Sequence, residues 1–147
     1  MSSRSQILCV DDEKGMLSSL KRFFRSNNYE ILTAESGQGA LVILEKNESI
    51  QLVISDYRMP GMDGIEFLRR VWARWPKTVR ILISGDADAP QALHAIKEGH
   101  IYKFFAKPWN DDEFLETVAN ALSTYSLRER NEALAEELIA QWGSNNG

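Results

Sequence analysis

The sequence predicts an α/β fold, a parallel sheet wound with helices on both faces, and two observations carry that prediction. Five short apolar runs recur along the 147 residues, and between them lie stretches whose apolar residues return at helical spacing. The connections are short, so strand and helix alternate five times. Such alternation is resolved by right-handed crossovers that lay successive strands parallel.

The strand segments are Ile7-Leu8-Cys9-Val10, Ile31-Leu32-Thr33, Leu52-Val53-Ile54, Val79-Arg80-Ile81-Leu82-Ile83 and Tyr102-Lys103-Phe104-Phe105. Runs rich in branched or aromatic side chains, bounded by charged or turn residues, are the mark of strands largely buried on both faces. Leu17, Leu20 and Phe24 share one face of the first helix, Leu41 and Leu44 of the second, Phe67, Leu68 and Val71 of the third. Leu93 and Ile96 are expected to serve the fourth, and Phe114, Leu115, Val118 and Leu122 the fifth. Asp63 is placed to cap the third helix and Pro90 suits the first turn of the fourth. Gly99 sits where that fourth helix should stop, and Asn110 with Glu113 forms a capping-box-like start to the fifth.

This length suits one domain with a substantial core. With 17 Lys and Arg against 21 Asp and Glu, the net charge is -4 and the positive charges are scattered, so no nucleic-acid footprint is predicted. Cys9 is the only cysteine, which excludes an internal disulfide and suits a reducing compartment. No apolar stretch approaches the roughly 20 residues that span a bilayer. A soluble, cytoplasmic protein is expected.

In a doubly wound sheet, the loops at the carboxyl ends of the strands build the site. Asp11, Asp12, Asp56, Ser84 and Lys107 all fall at such ends. Three carboxylates together repel one another unless a cation offsets them, and hard oxygen donors suit magnesium. A cation there would let an anionic phosphoryl group approach an aspartate nucleophile, with Lys107 supplying opposite charge and the Ser84 hydroxyl donating to a phosphoryl oxygen. Gly85, next to Ser84, leaves room for access. No glycine-rich phosphate loop follows the first strand, which argues against nucleotide binding.

The segments Val10-Asp11-Asp12-Glu13, Ser55-Asp56-Tyr57-Arg58-Met59-Pro60-Gly61-Met62-Asp63-Gly64, Ile83-Ser84-Gly85 and Lys107-Pro108 together resemble the CheY-like receiver domain of two-component response regulators. The likeness covers roughly residues 5 to 123 and implies a flavodoxin-like sheet of strand order 2-1-3-4-5 flanked by five helices. It implies Asp56 as phosphoacceptor; Asp11, Asp12, Asp56 and the Arg58 backbone carbonyl as magnesium ligands; and Ser84 and Lys107 as phosphoryl contacts. It further implies Phe104 as the switch aromatic, a cis Lys107–Pro108 bond, and a sensor histidine kinase or phosphotransfer protein as donor. Phenylalanine at this position excludes signalling through a phenolic hydrogen bond. Arg58 and Asp86, each two residues beyond a site residue, are expected to pair across the mouth and tune phosphoaspartate lifetime.

Plainer roles are expected elsewhere. Asp12 alone could cap the first helix, His94 and His100 are expected at the surface or at helix ends, and Met59, Met62 and Trp109 in packing. Two other functions compete. A haloacid-dehalogenase-type phosphohydrolase would need a second Asp two residues after the nucleophile, where this chain has Arg58. A phosphorylation-independent interaction module on the same fold is disfavoured because no acidic residue of the set, nor the lysine, is missing.

Residues 124–147 are expected to form a helical extension or linker, with Gly143 to Gly147 fraying into disorder. Leu127, Asn131, Leu134 and Leu138 fall on a short seam with coiled-coil spacing, which suggests a homodimer through this helix or through the switch face. Receivers with a similar Lys-Pro-Trp segment resemble those fused to HD-GYP phosphodiesterases or transcriptional activators, so an output domain is expected beyond this sequence.

Overall fold

The computed structural model describes the backbone of residues 4–146 and the side-chain surroundings of residues 4–143. The expected alternation is observed: β1 (Ser5–Val10), α1 (Lys14–Phe23), β2 (Tyr29–Ala34), α2 (Gly37–Lys46), β3 (Ile50–Asp56), α3 (Gly64–Arg74), β4 (Val79–Ser84), α4 (Ala89–Lys97), β5 (Lys103–Ala106) and α5 (Asp111–Asn146). The strands form one sheet in the order β2-β1-β3-β4-β5, every neighbour parallel.

Side-chain alternation along each strand divides the core in two. Ile7 and Cys9 of β1, with Leu52 and Ile54 of β3 and Ile81 and Ile83 of β4, face α1 and α5, where Leu17, Leu20, Phe24, Phe114 and Val118 close the layer. Leu8 and Val10, with Val53 and Leu82, face α2, α3 and α4, and pack on Leu44, Phe67, Leu68, Val71, Ala92 and Ala95. Fully burying such a side chain contributes about 1.5–3 kcal/mol, and doing so on both faces is why the strands read as unbroken apolar runs. Cys9 is fully buried, and burial pushes its thiol up to about 12, so it packs as an inert hydrophobe.

The capping expectations hold. Asp63 accepts from the Glu66 amide at 2.9 Å and Asn110 from the Glu113 amide at 2.9 Å. Trp109 stacks on Phe114 with centroids 4.7 Å apart, and Phe114 also meets Phe23, Phe24 and Phe105. Two expectations fail. Leu93 is 57% exposed, because α4 turns Ala92 and Ala95 to the sheet and only Ile96 of the expected pair packs on the core. Asp12 does not cap α1; the residue preceding that helix is Glu13, whose amide donates to Asp11 Oδ1 at 2.9 Å.

The extension expected from residue 124 is the same helix as α5, which runs to Asn146 without a break; Gly147 lies outside the described residues. Arg128 donates to the Pro76 and Lys77 carbonyls, and Lys77 pairs with Glu132 at 3.0 Å, so the loop after α3 braces the extension. From the inside, buried Arg80 donates to the Thr78, His100 and Gly99 carbonyls, tying that loop to the end of α4.

The end of β3 is set by a close approach. Gly64 donates its amide to the Tyr57 carbonyl at 2.8 Å, and a Cβ on Gly64 would lie 2.1 Å from the Asp56 carbonyl oxygen. Backbone cannot yield as a flexible side chain would. Gly64→Ala should therefore destabilise the protein by about 3 kcal/mol, measured by urea denaturation, whereas Gly85→Ala, whose Cβ would meet nothing within 4 Å, should stay within about 1 kcal/mol.

Candidate functional site

Strand order reverses between β1 and β3, since the chain leaves β1 for one side of the sheet and returns on the other; this crevice is where such sheets bind ligands. Asp56 ends β3, Asp11 follows β1, Ser84 ends β4 and Lys107 follows β5. Neighbouring backbone holds this rim. The Asp11 amide donates to the Ala34 carbonyl, the Tyr57 amide to Ile83, and the Lys107 amide to Ser84 at 2.7 Å. The peptide bond between Lys107 and Pro108 is cis, as expected.

Carboxylate oxygens of Asp11, Asp12 and Asp56 all lie within 4.8 Å of one another, with Asp11 and Asp56 buried at 1% and 7% exposure and Asp12 at the surface. Lys107 Nζ donates to Asp56 Oδ1 at 3.1 Å and stands 3.9 Å from Asp11 Oδ2. Asp11 Oδ2 is buried without a hydrogen-bond partner. A buried carboxylate oxygen left in that state, facing two further carboxylates, fits a hard divalent cation.

Burial pushes the Asp11 carboxyl up to about 6, against the Glu13 amide that lowers it and with the Asp56 charge adding to the rise. Burial also raises Asp56, opposed by the hydrogen bond and charge of Lys107. One cation therefore faces at least two buried anions, and the cluster is short of positive charge.

The structure corrects the expected pairing of Arg58 with Asp86. Asp86 is exposed, and the carboxylate that meets Arg58 is Asp88: Arg58 Nε donates at 3.1 Å and Nη2 at 2.6 Å, both to Asp88 Oδ1. The other Asp88 oxygen accepts the Ser84 hydroxyl. The Arg58 partnership first, and the Ser84 bond second, hold the Asp88 carboxyl below the usual carboxylate range. Asp88 was missed in the sequence although a signal existed: it lies four residues after Ser84, in the turn that enters α4, so a tight 3-10 turn at Asp86–Asp88 brings it back over the strand end. Phe104 is half-buried against the α2–α4 side of the core. His94 is exposed beside Glu98, and His100 rests on Trp72 with ring centroids 5.1 Å apart.

A family model described as the response regulator receiver domain matches residues 7–119. The chain belongs to this family. Over 143 residues, 97% of its length, this receiver is 34% identical to the hydrogenase transcriptional regulatory protein HoxA of Bradyrhizobium diazoefficiens. It spans only 29% of that relative. The transcriptional regulatory protein FixJ of the same organism is 31% identical over 144 residues, which are 98% of this chain and 69% of FixJ. Among solved structures, the signal receiver domain of an HD domain-containing protein from Pseudomonas fluorescens Pf-5 superposes with a TM-score of 0.80 at 37% identity, covering 88% of this chain and 96% of that one. The protein is thus a CheY-like receiver domain of a two-component response regulator, and among the described residues no helix is long and apolar enough to cross a membrane.

The raised carboxyl of Asp11 sets a pH dependence. A carboxyl whose folded value lies above its unfolded value costs no stability at low pH; the cost develops as pH rises from about 4 to about 6 and is full above that. Millimolar magnesium should accordingly raise the melting temperature by on the order of 5 °C at about pH 7.5 and by much less at about pH 4.5, measured by differential scanning calorimetry.

Proposed function

We propose that this receiver accepts a phosphoryl group on Asp56 from a phosphohistidine of a sensor kinase or phosphotransfer protein. The observation that supports the reading above all others is the pairing of buried Asp56 with Lys107 at 3.1 Å beside an Asp11 oxygen that no hydrogen bond satisfies. Magnesium, held by Asp11, Asp12, Asp56 and the Arg58 backbone carbonyl, would offset the carboxylate charge and polarise the incoming phosphoryl oxygens.

An Asp56 carboxylate oxygen attacks phosphorus, the phosphorus–nitrogen bond of the donor breaks, and the imidazole leaves as the neutral base once it carries a proton. Lys107 then holds a phosphoryl oxygen by charge, and Ser84 donates its hydroxyl proton to another. Phe104 reports the change by ring packing, having no hydroxyl to bond. The outcome is a shift between two states of the surface around α4, β5 and α5. An apolar recess lined by Met16, Leu20, Phe23, Pro108 and Trp109 opens beside Lys107 and suits a donor protein approaching the site.

The receiver catalyses only its own phosphorylation and dephosphorylation. Residues 5–123 serve as the switching unit and 124–147 as a helical lead to an output domain or to a second copy. The transcriptional regulatory relatives and the HD domain-containing neighbour favour outputs of those kinds. A cytoplasmic setting suits a cytosolic kinase partner. Arg58, where a phosphohydrolase of the haloacid type carries its acid, speaks against substrate turnover.

Incubation with magnesium and a small phosphodonor such as acetyl phosphate should add the mass of one phosphoryl group to the wild type and none to Asp56→Asn, read by intact-mass spectrometry. No gain in the wild type removes this reading. Steady release of phosphate from small phosphomonoesters would instead favour a hydrolase. If the α5 extension dimerises on activation, size-exclusion chromatography with light scattering should show a doubled mass with beryllofluoride, lost when Leu134 and Leu138 are replaced by serine; an unchanged mass removes that role.

A further inference from the structure

We propose that Asp88 is a latch that keeps the Ser84 hydroxyl away from Asp56 until the phosphoryl group arrives, a proposal that rests on the phosphoacceptor reading. A serine hydroxyl carries one proton and can give it to one acceptor at a time. In this structure the Ser84 hydroxyl gives it to Asp88 Oδ2, while the Lys107 amide holds the Ser84 carbonyl on the other side at 2.7 Å. Ser84 therefore cannot serve a phosphoryl oxygen on Asp56 without first leaving Asp88.

The surroundings of Asp88 suit a bond that must break. The residue is 4% exposed, so its charge has little water to fall back on. A buried carboxylate that lost its only partner would be strongly destabilised. Asp88 has a second partner: Arg58 grips Oδ1 through Nε and Nη2, and the Arg58 guanidinium also lies 4.8 Å over the Tyr57 ring. When Ser84 lets go, the carboxylate remains paired. Arg58 belongs to the turn that follows Asp56, and Asp88 leads into α4, so the latch joins the phosphorylation loop to the helix whose surface would change.

Two states follow. In one, Asp88 holds both Ser84 and Arg58, and the Ser84 hydroxyl is withheld from the phosphoryl oxygens, which Lys107 and the cation must meet without it. In the other, Ser84 has turned to the phosphoryl group and Asp88 keeps Arg58 alone. Asp88 is a positioning residue: it touches neither the phosphoryl group nor the cation, and acts by setting how often Ser84 is available.

The test uses the whole chain with magnesium and beryllofluoride as the probe, titrated by calorimetry. Asp88→Ala should bind beryllofluoride about tenfold more tightly than the wild type, since no bond to Ser84 has to be broken. Ser84→Ala should bind more weakly than the wild type, and Ser84→Ala/Asp88→Ala should match Ser84→Ala, because without the hydroxyl there is nothing to release. The double variant also controls for the mere loss of a negative charge near an anion, which would tighten binding in both backgrounds. If circular dichroism shows Asp88→Ala unfolded, Asp88→Asn replaces it and should bind more tightly than the wild type by a smaller factor, its neutral oxygen being a weaker acceptor. Equal or weaker binding by a folded Asp88 variant overturns the latch, as does tightening that persists without Ser84. Failure of the wild type to bind beryllofluoride at all overturns the phosphoacceptor reading instead.

Discussion

Lys107 within 3.1 Å of Asp56 is the contact on which the rest of the site depends. Two carboxylates buried at the crevice between β1 and β3 repel each other and have lost most of their hydration, and Lys107 is the nearest positive charge available to them. It comes from the far edge of the sheet. Its amide is laddered to Ser84, and the aromatic cluster of Trp109, Phe114, Phe105 and Phe23 anchors the chain just beyond it.

The same arrangement explains why the site costs stability. Lys107 sits unequally between Asp56 and Asp11, and the nearly buried Asp11 keeps one oxygen with no donor. Two core layers, one on each face of the sheet, offset that cost, and the Gly64 amide holds the chain just past Asp56 through the Tyr57 carbonyl. Repulsion held in place by packing is what fits the cluster to a hard cation.

Around this centre, buried groups are satisfied by long side chains reaching between loops. Arg58 and Ser84 share Asp88 across the mouth, and at the opposite rim Arg80 and Arg128 meet carbonyls of the loop after α3 from inside and outside. The α4 segment is thus tied at its start to the turn after Asp56, through Arg58 and Asp88, and at its end to β4, through Arg80.

The sequence by itself determined the five strands, because burial on both faces leaves unbroken apolar runs such as Ile7 to Val10. It determined the acid cluster and Lys107 for the same reason: each follows a strand end, and a parallel sheet brings those ends to one rim. The inward face of α4 was not legible, since alanines at the sheet and an exposed Leu93 invert the usual pattern of size. Nor was the partner of Arg58. Both Asp86 and Asp88 are acids in one short turn, and the choice between them depends on the backbone path of that turn, which carries Asp88 under cover and leaves Asp86 in solvent. Residue type and spacing specify which groups meet at the rim; which of two near neighbours makes the contact is decided by tertiary packing, where two residues of a tight turn separate a covered side chain from a solvated one.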